Sequence, residues 1–137
     1  RRARIAALMV VDSSAILAIL LKEQDGPGLA EKISTARTRI MSAVSRLETG
    51  IVGAARKGHS GGADAARLLE TLGVTVVDFT ADHARLALDG WRRYGKGNHP
   101  AGLNIADCCV YALCKATDEP LLFKGSDFSQ TDLKLVR

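Results

Sequence analysis

Four carboxylates stand where this sequence changes character. Asp12 ends the apolar run MVVDSSAIL; Glu48 lies early in SRLETGIVGAARKG; Asp107 lies early in NIADCCVYALCKA; Asp127 follows PLLF by four residues. Each has a local explanation as a cap. Asp12 can close a helix N-terminus, SRLE at 45–48 fits the capping-box pattern, Asp107 follows Asn104 by three, and Asp127 can cap a turn. Brought to one place, the same acids have a different chemistry. Two carboxylates about 5 Å apart repel by about 3 kcal/mol at an effective dielectric near 20, so four together call for a cation. Lys124 is one candidate, but an oxygen-only cluster of high negative charge is the usual seat of Mg²⁺ or Mn²⁺, which keep waters and bind phosphate oxygens. Ser14, two residues after Asp12, is an accessory hydroxyl that can hold a carboxylate or a metal-bound water, or simply be solvated.

Whether the four meet depends on the elements that carry them. Short β-like runs alternate with helical periods, with no internal repeat, which predicts α/β. Strands are expected at about 7–12, 38–43, 74–79 and 120–123, with a last strand or extended tail in LKLV. Helices are expected from Ser14 to about Lys22, at 28–36, from Ser45 to Lys57, and at 63–72, 81–94 and 104–116. The pair at 45–57 and 63–72 is expected to pack antiparallel or to carry a partner surface. GKGNHPAGL at 95–103 reads as a mobile, exposed loop. In a parallel sheet the strand carboxyl ends and the following helix N-termini share one edge, so Asp12, Glu48, Asp107 and Asp127 are expected on one rim.

The bulk numbers narrow the class. A chain of 137 residues, 47% hydrophobic and 25% charged, is sized and composed as one globular domain. Arg1, Arg2 and Arg4 supply three of the four excess positive charges, so contact with a polyanion must come from a local patch rather than a basic surface. RRARIAAL lacks the features of a cleaved secretion signal. Residues 1–8 are expected to be an upstream extension or remnant, with Met9 the native start and 9–137 the domain, which N-terminal sequencing of the native protein would test. Cys108, Cys109 and Cys114 crowd one expected helix without a CxxC pair, which suits reduced, packed thiols and the cytoplasm. No apolar run reaches the length of a membrane span.

MVVDSSAIL, the S-x-L-E-T helix start, GLNIADCCVYALCKA and PLLFKGSDF occur in the order that resembles the PIN-domain ribonucleases, and closely the VapC toxins of bacterial toxin–antitoxin pairs. The resemblance runs from Met9 to the end. It implies a three-layer α/β/α sandwich with a mainly parallel sheet, Mg²⁺- or Mn²⁺-dependent cleavage of RNA phosphodiesters, translation inhibition, a homodimer, and neutralisation by a VapB-like antitoxin through which alone operator DNA is reached. By position, Asp12, Glu48, Asp107 and Asp127 match the family's acidic quartet and Ser14 its accessory hydroxyl; Asp132 is a nearby acid that could be mistaken for the fourth. Asp12 and Asp107 are expected as main metal ligands, with Glu48 and Asp127 completing the set or orienting water. Arg46, Lys96, His99 and Lys124 are candidate RNA contacts, with Arg92 and Arg93 near by. One tryptophan and two tyrosines do not make a base-stacking platform, so a structured RNA such as tRNA is the expected substrate.

Rival families fit less well. A response-regulator receiver needs an acidic pair after the first strand, and a haloacid-dehalogenase phosphatase needs a second aspartate at position 14, which is serine. The rival of another kind is a PIN-like protein that only binds within an antitoxin–operator complex, against which the complete quartet argues.

Overall fold

The computed structural model describes residues 8–137; the N-terminal extension expected at 1–8 lies outside them except for Leu8. In chain order the elements are β1 (Leu8–Val11), α1 (Ser13–Leu20), α2 (Gly26–Ser34), β2 (Thr38–Ser42), α3 (Ala43–Lys57), α4 (Gly61–Thr71), β3 (Val74–Val77), α5 (Ala81–Tyr94), α6 (Ile105–Thr117) and β4 (Leu121–Leu122). All four strands are parallel, in the order β3-β2-β1-β4. Near the C-terminus, Leu135 adds a parallel bridge to Leu121.

The strands read as continuous apolar runs because both faces of the sheet are covered, as parallel sheets require. Alternation along each strand sorts the side chains. Val10, Ile40 and Leu121 pack with Leu103, Val110, Tyr111 and Leu113 on the α5–α6 side. Met9, Val11, Met41 and Leu122 pack with Ala15, Ile16, Leu29, Ile33 and Leu69 on the α1–α2–α4 side. The result is three layers, with the expected α/β/α order. All three cysteines are free and buried on α6, and no helix among the described residues is long and apolar enough to cross a membrane.

From β1 the chain first builds outward through β2 to β3, then crosses back to place β4 on the other flank of β1. That reversal leaves a crevice at the carboxyl ends of β1 and β4, where open α/β sheets bind ligands. Asp12 is the residue immediately after β1, and its backbone N–H donates to Leu122 O at 2.9 Å, tying it to the end of β4.

Two local expectations need correction. The 95–103 segment is exposed at Lys96, Gly97, Asn98 and Pro100, as expected, but it is a tied turn rather than a free loop. Gly95 and Leu103 bridge, Lys96 N donates to Leu103 O at 3.0 Å, and Asn98 Nδ2 donates to Trp91 O at 3.0 Å, so the turn is closed against the end of α5. Helix α3 starts earlier than Ser45: its N-cap is Ser42, whose side chain accepts from Val44 N at 3.2 Å, while Ser45 is a buried helical residue. The SRLE pattern is therefore not a capping box, and Glu48 lies in the second turn.

Helices α3 and α4 do pack together, through glycines. A Cβ on Gly61 would lie 2.0 Å from the backbone oxygen of Gly53, a contact neither backbone can relieve without separating the helices. Gly61→Ala is expected to cost about 2 kcal/mol and lower Tm by about 7 °C. Thermal unfolding checks this, and an unchanged Tm would mean that the two helices separate freely.

Candidate active site

The β1–α1 junction is built around Asp12. Its Oδ2 accepts from Ser14 N at 3.1 Å, so the capping role is real, yet the residue is only 6% exposed. Burial pushes its carboxyl above the ordinary value against the pull of the Ser14 bonds, and the charges of Glu48 and Asp127 push the same way.

Glu48 comes from the second turn of α3, half-buried, and its Oε1 accepts the hydroxyl proton of Ser13. Asp107 is the third residue of α6, at the helix N-terminus as expected, and there it forms a capping box with Asn104. Its N–H donates to Asn104 Oδ1 at 2.8 Å, and Asn104 N donates to Asp107 Oδ2 at 3.2 Å. Its carboxyl is nevertheless pushed up to about 7, by burial first and then by Asp12, Asp127 and Glu48, although the Asn104 bond works against this. A carboxylate at a helix N-terminus ordinarily gains from the dipole; here the crowd of like charges and the loss of water outweigh it.

Asp127 is exposed, in the turn after β4. Phe128 is buried beside Phe123, with ring centroids 5.3 Å apart, and anchors that turn. The turn is also fixed to α1, since Lys124 N donates to Ser14 Oγ at 2.9 Å. Ser14 thus holds the segment leading to Asp127.

Four acids from four separate elements therefore stand in one another's field. Elsewhere acids find basic partners: Asp64 pairs with Lys57 and Arg67, Asp118 with Lys134, and Asp132 with Lys115 and Arg93. None of the quartet joins an ion pair among the described residues. Nor, among those residues, are three acidic, histidine or cysteine side chains drawn in tightly enough to enclose a metal ion. The quartet is a group that repels itself across a crevice rather than a closed cage. Burial works to raise the Asp132 carboxyl, but its Lys115 and Arg93 partners hold it below the ordinary carboxylate range, so this acid, unlike the quartet, is paired.

The candidate RNA contacts are dispersed. Lys124 does not neutralise the quartet; its ammonium goes to Glu23 and, at 3.5 Å, to Asp25. His99 is partly committed, its Nδ1 accepting from Ala101 N at 3.0 Å and its ring set edge-on to Tyr94. Arg46 is half-buried along α3 beside Gly50. Lys96 is exposed on an apolar groove of about 510 Å³ that also includes Phe79, Leu88, Trp91, Asn104 and Ile105. Trp91 is exposed there. The residue that sequence reasoning passed over is Ser13. Its only signal was a second hydroxyl beside the strand-end aspartate.

The PIN domain family profile matches residues 9–134. A VapC ribonuclease of Mycolicibacterium smegmatis is 45% identical over 128 residues, covering 93% of this chain and 99% of that protein. Ribonuclease VapC30 of Mycobacterium tuberculosis is 43% identical over 93% of this chain and 98% of its own length. Among solved structures, Mycobacterium tuberculosis VapC20, described as a sarcin–ricin loop cleaving toxin, superposes with a TM-score of 0.78 at 19% identity, over 94% of this chain and 98% of its own. With the fold, the strand-end aspartate and the ordered motifs in agreement, the chain belongs to the PIN-domain family and, within it, to the VapC ribonucleases.

Proposed function

We propose that the chain is a divalent-metal-dependent endoribonuclease toxin that cuts tRNA or another structured RNA, so halting translation, and is silenced by a VapB-like antitoxin. The observation that carries this is the quartet itself: four carboxylates gathered at the sheet's switch point without a basic partner among the described residues. Such a group is matched chemically by a hard cation, because every donor is an anionic oxygen and one of them, on Asp12, is almost sealed from water.

Asp12 and Asp107 would hold the ion, with Glu48 and Asp127 completing the set or orienting the attacking water. When bound, Mg²⁺ or Mn²⁺ supplies Lewis-acid stabilisation of phosphate oxygens and lowers the pKa of a water. The carboxylates position; they do not attack. Substrate contact falls to Arg46 and Lys96, with Lys124 and His99 already engaged by partners within the chain. With so few exposed aromatics, the reading favours RNA shape over a run of stacked bases.

Exposed apolar side chains support the partners. Leu47 and Ile51 flank Glu48 on α3, and Leu88, Trp91 and Ile105 rise beside the groove. Surfaces of this kind mark association sites, here for a second copy and for the antitoxin. A Rickettsia felis VapBC2 complex is described as bound to a DNA fragment from its promoter; this chain is proposed to act in the cytoplasm and to reach operator DNA only through its antitoxin.

Purified protein incubated with total tRNA and Mg²⁺ or Mn²⁺ is expected to give discrete fragments that vanish with EDTA. Intact RNA under conditions in which Mn²⁺ is bound would overturn the nuclease reading in favour of a binding role.

A further inference from the structure

Ser13 is the first residue of α1 and is 5% exposed. A hydroxyl sealed from water must find an acceptor or cost roughly 1–3 kcal/mol. Within a helix, serine often returns its proton to a carbonyl of the preceding turn, but the first helical position has no preceding turn. The acceptor it takes is Glu48 Oε1, on a different helix.

This choice matters for Glu48. A half-exposed glutamate has three rotatable bonds, and fixing it costs on the order of 1.5–2 kcal/mol of rotamer freedom. Its neighbours Leu47 and Ile51 are exposed, so packing does not confine it. Ser13 is the partner the structure provides. Being neutral, the serine directs one carboxylate oxygen without cancelling the charge, as a lysine or arginine would, and leaves Oε2 and the full negative charge for a cation. Glu48 meanwhile acts electrostatically on both Asp12 and Asp107.

We infer that Ser13 is a positioning residue that holds Glu48 in place, facing Asp12 and Asp107, for the divalent cation; the inference rests on the nuclease reading above. The two adjacent serines then divide the crevice between them. Ser14 accepts from the β4 turn that leads to Asp127, and Ser13 secures α3 through Glu48. The Asp12-Ser13-Ser14 stretch thereby supplies one carboxylate and places two others.

The test compares wild type, Ser13→Ala, Ser13→Thr, Glu48→Gln and the Ser13→Ala/Glu48→Gln double variant. Three quantities are measured on the full chain: Mn²⁺ affinity by electron paramagnetic resonance without RNA, tRNA cleavage split into kcat and KM, and Tm. Ser13→Ala is expected to bind Mn²⁺ about tenfold more weakly and to lose about 10–100-fold in kcat with KM for RNA unchanged, the range for residues that orient metal ligands. Ser13→Thr, which keeps the hydroxyl, restores most of both. In the Glu48→Gln background, Ser13→Ala has no further effect on Mn²⁺ affinity, and this comparison holds even if the alanine lowers Tm. Wild-type affinity and kcat in Ser13→Ala, or an undiminished effect in the Glu48→Gln background, overturn the inference alone. A wild-type protein that binds no Mn²⁺ overturns the nuclease reading and the inference with it.

Discussion

Replacing Asp107 by Asn is expected to lower RNA cleavage by about a thousandfold, the several kcal/mol that a well-held metal contributes to a phosphoryl-transfer transition state, while raising the Tm of the metal-free protein at pH 8. The two effects have one origin. At pH 8 the carboxylate is ionised although burial and three neighbouring acids oppose its charge, so its carboxyl titrates only near 7. Asparagine has nearly the same shape, and its Oδ1 can still accept from Asn104 N, so the capping box survives. What is removed is the charge. If Asp107 were merely a helix cap, the opposite would follow: cleavage would persist and stability would fall by about 0.3–1 kcal/mol through loss of a favourable dipole interaction. Cleavage assays beside thermal melts without metal separate these outcomes, and retained activity with a lowered Tm would remove Asp107 from the metal site. Asp12→Asn is expected to abolish cleavage likewise without unfolding the protein, since asparagine also caps helices well.

The opposition between charge and fold also explains what the sequence made legible. Elements with a strong period could be placed from sequence alone. The helix expected at 81–94 is α5 to the residue, and β1 and α6 differ from expectation by a residue or so at each end, the usual spread of helix and strand boundaries. Apolar runs bounded by acids located the rim because hydrophobic pattern and sheet topology are properties of whole segments. Individual partners were less accessible. SRLE satisfies the capping-box pattern at 45–48, yet Ser42 at the end of β2 is equally good as a cap and comes first, so local chemistry was degenerate and the strand end decided. Lys124 looked like a counter-ion for the quartet because it is close in sequence to Asp127; the fold instead brings Glu23 and Asp25 to it from about a hundred residues away. The Ser13–Glu48 bond and the closure of 95–103 through Gly95 and Leu103 are likewise consequences of tertiary contact. The partial burial of Asp107 and the convergence of Asp12, Asp127 and Glu48 on it, which together set its acidity, have no sequence period at all.

The same acidity predicts a pH dependence with an unusual sign. Most folded carboxylates titrate below their unfolded value and stabilise the protein as pH rises. Asp107 is raised from 3.8 to about 7, and Asp12 is raised as well. Between these limits the native state binds more protons than the unfolded chain, so the derivative of unfolding free energy with pH is negative. Stability of the metal-free protein should therefore decline as pH rises from about 4 through about 7, a slope that Asp107→Asn should reduce, leaving the part that Asp12 contributes. Asp64 and Asp132, whose carboxyls are lowered, act in the opposite direction but only below the ordinary carboxylate range, outside this window. A divalent cation reverses the penalty, because it binds the ionised form and must displace the proton below pH 7. At pH 8, Mn²⁺ at about 100 times its Kd is expected to raise Tm by about 10 °C. At pH 5 the same concentration should have little effect, because protonated Asp107 no longer draws the ion. Thermal melts over this pH range, with and without Mn²⁺, read both slopes in one experiment. A Mn²⁺-induced shift that is equal at pH 5 and pH 8 would show that the ion is held without Asp107, and the quartet would then have to be reassigned around Asp12.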